Sequence, residues 1–246
     1  MRNFRLTTAL PVVLTACMTA APALAGDIDT VQNLAQSQFK DLSEDLGAAL
    51  SYKSLAPAEA LGVTGFDLSL AVTGTSLNSV EVWRQASGGD SVNSTLPLAT
   101  LRLAKGLPFN IDIGAFYLAV PNTNIKQYGG EARWAFIEGG PVTPAVAVHA
   151  TYSKLTGVDQ LDLNSSSIDV SISKGFAFIT PYIGAGTVHT NVMPQGSAAQ
   201  VLRSETVNQS KVFGGVNFNM GLPNIALELD RTGDVTSYGA KFGLRW

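Results

Sequence analysis

His149 stands in AVAVHATYS, two residues before Thr151 and four before Ser153. A strand would put all three on one face, and an imidazole beside a hydroxyl is how a general base activates a nucleophile for acyl transfer. Residues i and i+2 of a strand lie about 6.6 Å apart, however, which strains such a pair. No nucleophile motif surrounds them, and His189 has no neighbouring Asp or Glu. HExxH, a phosphate-cradling glycine loop and a cysteine pair are all missing from the sequence. Each histidine therefore reads as a satisfied polar residue. No catalytic residue, metal or cofactor is expected.

The charges that remain are spaced differently. Asp67, Arg102, Asp112, Glu131, Arg133, His149, Asp169, Glu228, Asp230, Lys241 and Arg245 each sit inside an alternating apolar run. Phe66, Leu68, Leu70 and Val72 flank Asp67. Ile111, Ile113, Ala115 and Tyr117 flank Asp112, and Ile168, Val170 and Ile172 flank Asp169. Period-two alternation is the mark of a strand with unlike faces. Such segments recur from residue 62 to the end, and ten of them are expected, within a range of eight to twelve.

Their connections alternate in kind. Those at 105–110, 138–144, 173–178 and 221–224 are tight and rich in Gly and Pro, as hairpin turns are. The links between them are more polar and often longer, notably 73–95 and 189–209. Charged residues make up 14% of the chain and the formal charge is −3, with no run of about 18 apolar residues after the opening segment. A chain poor in charge, without a spanning helix and alternating throughout, fits an all-β, closed antiparallel barrel whose apolar face meets lipid. The charged set then faces the lumen, where buried charges must pair. No basic patch suits nucleic acid.

The opening residues have Arg2 and Arg5, an apolar run broken by Pro11, and Ala23-Leu24-Ala25 before Gly26. They read as a signal peptide, 1–25, cut after Ala25. Leu14-Thr15-Ala16-Cys17 also fits a lipoprotein box. Cys17 is the sole cysteine, which excludes a disulfide framework. Residues 26–46 carry Ile28, Val31, Leu34, Leu42 and Leu46 at helical spacing and predict an amphipathic helix, either periplasmic or plugging the barrel mouth. The barrel is placed at 47–246, with 46–53 either a strand or a rim segment. Trp83, in the polar 73–95 link, reads as a contact residue or an interfacial anchor.

The chain closes on YGAKFGLRW. With the signal peptide and the alternating strands, this terminus resembles that of Gram-negative outer-membrane β-barrel proteins. The resemblance makes Tyr238, Phe242, Leu244 and Trp246 a signature read by the barrel assembly machinery, with Trp where Phe is commoner. It also implies an outer-membrane location and outer-membrane lipid as partner. Three functions are carried forward. One is a structural barrel or narrow passage for a small solute, another is surface binding through outer loops 73–95 and 189–209, and the third is lipid modification using His149.

Overall fold

Outward apolar and inward polar residues take alternate places along ten strands, and the sheet they form closes on itself. The computed structural model describes residues 26–246, so the expected signal peptide and Cys17 lie outside the described residues. The strands are β1 (Phe66–Ser76), β2 (Thr95–Leu107), β3 (Ile111–Ala119), β4 (Lys126–Glu138) and β5 (Ala145–Thr156), then β6 (Leu161–Ser173), β7 (Ile179–Pro194), β8 (Glu205–Asn219), β9 (Pro223–Thr232) and β10 (Val235–Arg245). All pairings are antiparallel. β10 returns to β1 with Phe242 opposite Leu70 and Arg245 opposite Asp67. Closure satisfies every ladder and leaves no edge to aggregate.

The four tight connections gather at one end of the barrel, here the turn end, together with Trp246. Trp246 exchanges backbone hydrogen bonds with Phe66 and stacks on its ring, 5.6 Å between centroids. Residues 77–94, 120–125, 157–160, 195–204 and 233–234 connect strands at the other, loop end.

Leu70, Leu101, Ile113, Ile168, Ile183, Leu229 and Phe242 are all exposed on the outer wall. So continuous an apolar surface requires lipid around it. Tyrosines 117, 128, 152 and 238 edge it on the loop side, while Trp134, Phe136 and Trp246 edge it on the turn side. Tyr128 to Phe136 and Tyr238 to Trp246 are both steps of eight residues. At about 3.4 Å per residue and a tilt near 40°, the belt is roughly 21 Å tall, close to the apolar band of about 25 Å in membrane barrels.

Beyond the belt the alternation changes phase. In β2 the outward apolar residues are Leu101 and Leu103, but nearer the loop end Leu96 and Leu98 point inward. The same switch separates Ile183 from Val188 in β7 and Ile168 from Leu163 in β6. The wall thus continues into water with its polar side outward. For this reason the expected loops are shorter than their sequence suggested: β1 extends to Ser76 and β7 to Pro194, and β8 begins at Glu205, so the links are 77–94 and 195–204.

Helix α1 (Gln36–Ala49) fills the loop-end half of the lumen. Its first turn is fixed where the Ala35 N–H donates to Gln38 Oε1, 2.8 Å away. Phe39, Leu42, Leu46 and Leu50 are fully buried against the inward Leu96, Leu98, Leu118 and Leu163. Burying each of them favours this docking by about 1.5–3 kcal/mol. The wall itself starts at Phe66 and not at 47. Residues 46–53 finish the helix and turn out of it, forming no strand, because their apolar residues follow the helical period and lie in the core already described.

A second helix, α2 (Val80–Ala86), folds over the loop end. Trp83 is neither a lipid anchor nor an exposed contact, because it is buried in the shared core.

Candidate functional site: the plugged lumen

Below α1 the lumen turns polar, and its charges form a chain around the wall. Asp67 of β1 accepts from Arg245 Nη2 at 2.8 Å and from Lys241 Nζ at 3.4 Å, both on β10, and faces Arg102 Nη1 of β2 at 3.6 Å. Arg102 donates from Nε to Glu131 of β4. Glu131 Oε2 meets His149 Nε2 of β5 at 2.9 Å, and His149 Nδ1 lies 3.5 Å from Asp169 of β6. Signs therefore alternate across neighbouring strands. The link from β2 to β4 has to pass β3, which offers Gly114 there. A Cβ on Gly114 would sit 2.5 Å from Glu131 Oε1, so glycine leaves the room in which the carboxylate reaches Arg102.

The other charges grip the segment that leaves α1. Arg133 Nε donates to Asp112 at 3.0 Å and its Nη1 donates to the Pro57 carbonyl at 2.8 Å, while Asp112 Oδ1 accepts the Leu61 N–H at 3.0 Å. Glu228 Oε2 accepts the Leu55 N–H at 3.1 Å and the Tyr182 hydroxyl at 3.0 Å. Ser173 Oγ accepts the Ala58 N–H at 3.0 Å. Asp230 pairs with Lys53 at 3.0 Å and faces Lys211 at 3.7 Å, and Lys211 also donates to the Tyr52 carbonyl. A non-repetitive backbone inside a barrel has no sheet to satisfy it. Wall side chains supply the missing partners here.

All eleven sequence-named charges thus face inward, but not always toward the partner nearest in sequence. Glu228 and Asp230, on the strand before β10, are the inward carboxylates nearest in sequence to Lys241 and Arg245 but do not pair with them. Both cations turn instead to Asp67 across the closing seam, since Glu228 lies opposite Gly239 and is engaged by the plug. Sequence reading missed Lys53, Lys211 and Tyr182. Lys211 was detectable, for it precedes outward Val212 in β8. Lys53 was not, because its segment has no strand period. Tyr238, Phe242 and Trp246 are exposed on the lipid-facing side and Leu244 shares their face.

His149 has no hydroxyl among its ring partners. Thr151 Oγ1 is 2.6 Å from Ser167 Oγ, and the imidazole packs instead against the Tyr52 ring, 5.4 Å between centroids. His189 points outward from β7, bonded to Asn208 at 2.6 Å. Among the described residues, no group of His, Cys, Asp and Glu is arranged to hold a metal ion.

At the loop end, a buried carboxylate joins plug to lid. Asp45 of α1 accepts the Ser79 N–H at 2.9 Å, the Asn78 N–H at 3.3 Å and the Trp83 indole N–H at 3.1 Å. Burial pushes its carboxyl above the ordinary range, against the pull of those three donors.

No protein-family model matches the chain, and no curated protein does. Among solved structures, the N-terminal β-barrel domain of Pseudomonas aeruginosa OprF is similar at 13% identity, covering 73% of this chain and 97% of its own, with a TM-score of 0.37. Ail, the attachment invasion locus protein of Yersinia pestis, is 13% identical over 76% of this chain and 99% of its own, at 0.33. The Acinetobacter baumannii outer membrane protein Omp33 is 8% identical over 75% and 100%, at 0.35. A closed sheet, an apolar belt of bilayer height and a polar, occupied lumen make this chain an outer-membrane β-barrel.

Proposed function

We propose that the protein is a sealed, non-enzymatic barrel with a structural role in the outer membrane, its loop end facing outward and its turn end in the periplasm. The observation that carries this reading is the commitment of the lumen charges: Asp112, Arg133, Lys211 and Glu228 are bonded to the backbone of residues 52–61. Side chains already engaged with the plug and with one another offer little to a passing solute. His149 is held between two carboxylates with its ring buried, which speaks against lipid chemistry.

Planar-bilayer recording tests the proposal. The intact protein should show no steady conductance, and removing residues 27–61 should create one. Large, steady openings of the intact protein would refute the sealed lumen. Surface binding is the second reading, supported by the ordering of the loop end: Gln36, Gln85, Asn124 and Gln160 tie neighbouring loops to the N-terminal segment. Pull-down from native membranes, with and without residues 87–91, tests it. Recovery of the same proteins by both forms would count against that face.

A further inference from the structure

The two ends of the described chain lie at opposite ends of the barrel. Trp246 is at the turn end beside Phe66. Gly26 is at the loop end, packed so closely on 77–94 that an added Cβ would fall 2.8 Å from the Ser87 Cβ. Residues 27–36 then bind one loop after another. Asp27 accepts the Asn124 N–H at 2.6 Å, the Thr30 N–H donates to the Ala86 carbonyl at 3.0 Å, and the Arg203 N–H donates to Gln36 at 2.9 Å. From there α1 descends, Leu55, Ala58 and Leu61 are gripped in turn by the wall, and the chain leaves past Gly106, where a Cβ would lie 2.0 Å from the Gly62 carbonyl oxygen. Only then does β1 begin.

We infer that the barrel is threaded by its own amino-terminal segment and presents that segment on the cell surface. Resting on the orientation given above, this adds an activity to a structural barrel: the segment that begins at Gly26 is displayed outside the cell, while the carboxyl terminus stays in the periplasm. Neither strand pairing nor the belt requires such a path. The bonds along the lumen are specific to it, because they satisfy backbone groups of a segment that has no other place in the sheet.

Single-cysteine variants decide the matter, since Cys17 is the chain's one cysteine and falls in the segment expected to be removed. The probe is a charged, membrane-impermeant maleimide added to intact cells. Ser37→Cys, on the exposed side of α1, should react in intact cells. Val142→Cys, at the tip of a tight turn and 88% exposed, should react only after the outer membrane is opened. Ala58→Cys, buried in the lumen, should stay silent until the protein is unfolded. Lys40→Cys gives the same readout as Ser37→Cys if the latter fails to assemble. Reaction of both Ser37→Cys and Val142→Cys only in opened cells would overturn the threading while leaving the barrel's orientation in place. Val142→Cys reacting in intact cells while Ser37→Cys is protected would overturn the orientation itself. Ala58→Cys reacting in the native barrel would show that the lumen is not threaded.

Discussion

Glu131 has the most exacting position in the lumen, because it is the shared partner of Arg102 and His149. Replacing it with Ala takes from a buried guanidinium its hydrogen-bonded carboxylate and leaves it only the longer contact to Asp67, and breaking a buried pair from one side costs about 3–5 kcal/mol. Glu131→Ala should lower unfolding stability in detergent by that order, read from the denaturant midpoint. Removing both members, as Arg102→Met with Glu131→Gln, should cost less than the single change. Gly114→Leu tests the same link without altering a charge, since its side chain would fill the space that Glu131 Oε1 occupies. It should destabilise comparably, and a midpoint like that of the parent would show that Glu131 reaches Arg102 by another route. Asp45 behaves differently. Its folded carboxyl holds a proton more tightly than the unfolded chain does, so its stabilisation is fully present below about pH 3.9 and is lost as pH rises through the raised folded value. Asp45→Asn, neutral throughout, should flatten that part of the pH profile of the midpoint. Asp45→Ala leaves the Ser79 and Trp83 N–H groups unpaired, at about 1–3 kcal/mol for each buried group.

At the scale of elements, β10 carries two duties along one backbone. Outward it offers Tyr238, Phe242 and Trp246 to lipid, and inward it sends Lys241 and Arg245 to Asp67. Phe242→Asp would put a charge in the apolar belt opposite Leu70. Outer-membrane yield should fall sharply, with material accumulating in the periplasm or being degraded. Deleting Trp246 should act in the same direction if the terminal aromatic is an assembly signature, whereas Ser197→Ala in the 195–204 link should leave yield unchanged. Equal yields for all three would dissociate the aromatic terminus from assembly. Helix α1 is held differently, by apolar packing on wall residues that lie beyond the membrane.

For the molecule as a whole, the lumen is organised in two layers that the plug joins. Its helical part meets an apolar wall at the loop end, and its extended part meets a charged wall within the belt. Among the described residues, the wall cations Arg102, Arg133, Lys211, Lys241 and Arg245 and the plug's Lys53 stand against the wall carboxylates Asp67, Asp112, Glu131, Asp169, Glu228 and Asp230. This balance offsets the cost of burying charges in the core of a narrow barrel. The conductance expected on removing residues 27–61 is thus a property of the whole assembly: wall charges that lose the plug backbone would be rehydrated.

The sequence alone determined which face of each strand meets lipid, because period-two alternation is a local property and a one-residue slip would turn every apolar residue inward. Leu68, Leu70 and Val72 could face only one way, and Asp67 only the other. The height of the wall was also legible, in the change of phase from Leu101 and Leu103 to Leu96 and Leu98. The polar strand ends 73–76, 189–194 and 205–209, read as loop, made 73–95 and 189–209 look longer than the links they contain. Only the tertiary structure decided which charges meet. Lys241 and Arg245 reach Asp67 because closure brings the last strand beside the first, a neighbour far away in the chain. The path of residues 50–62 was likewise beyond local reading, since a segment bonded to wall side chains rather than to a ladder has no period of its own.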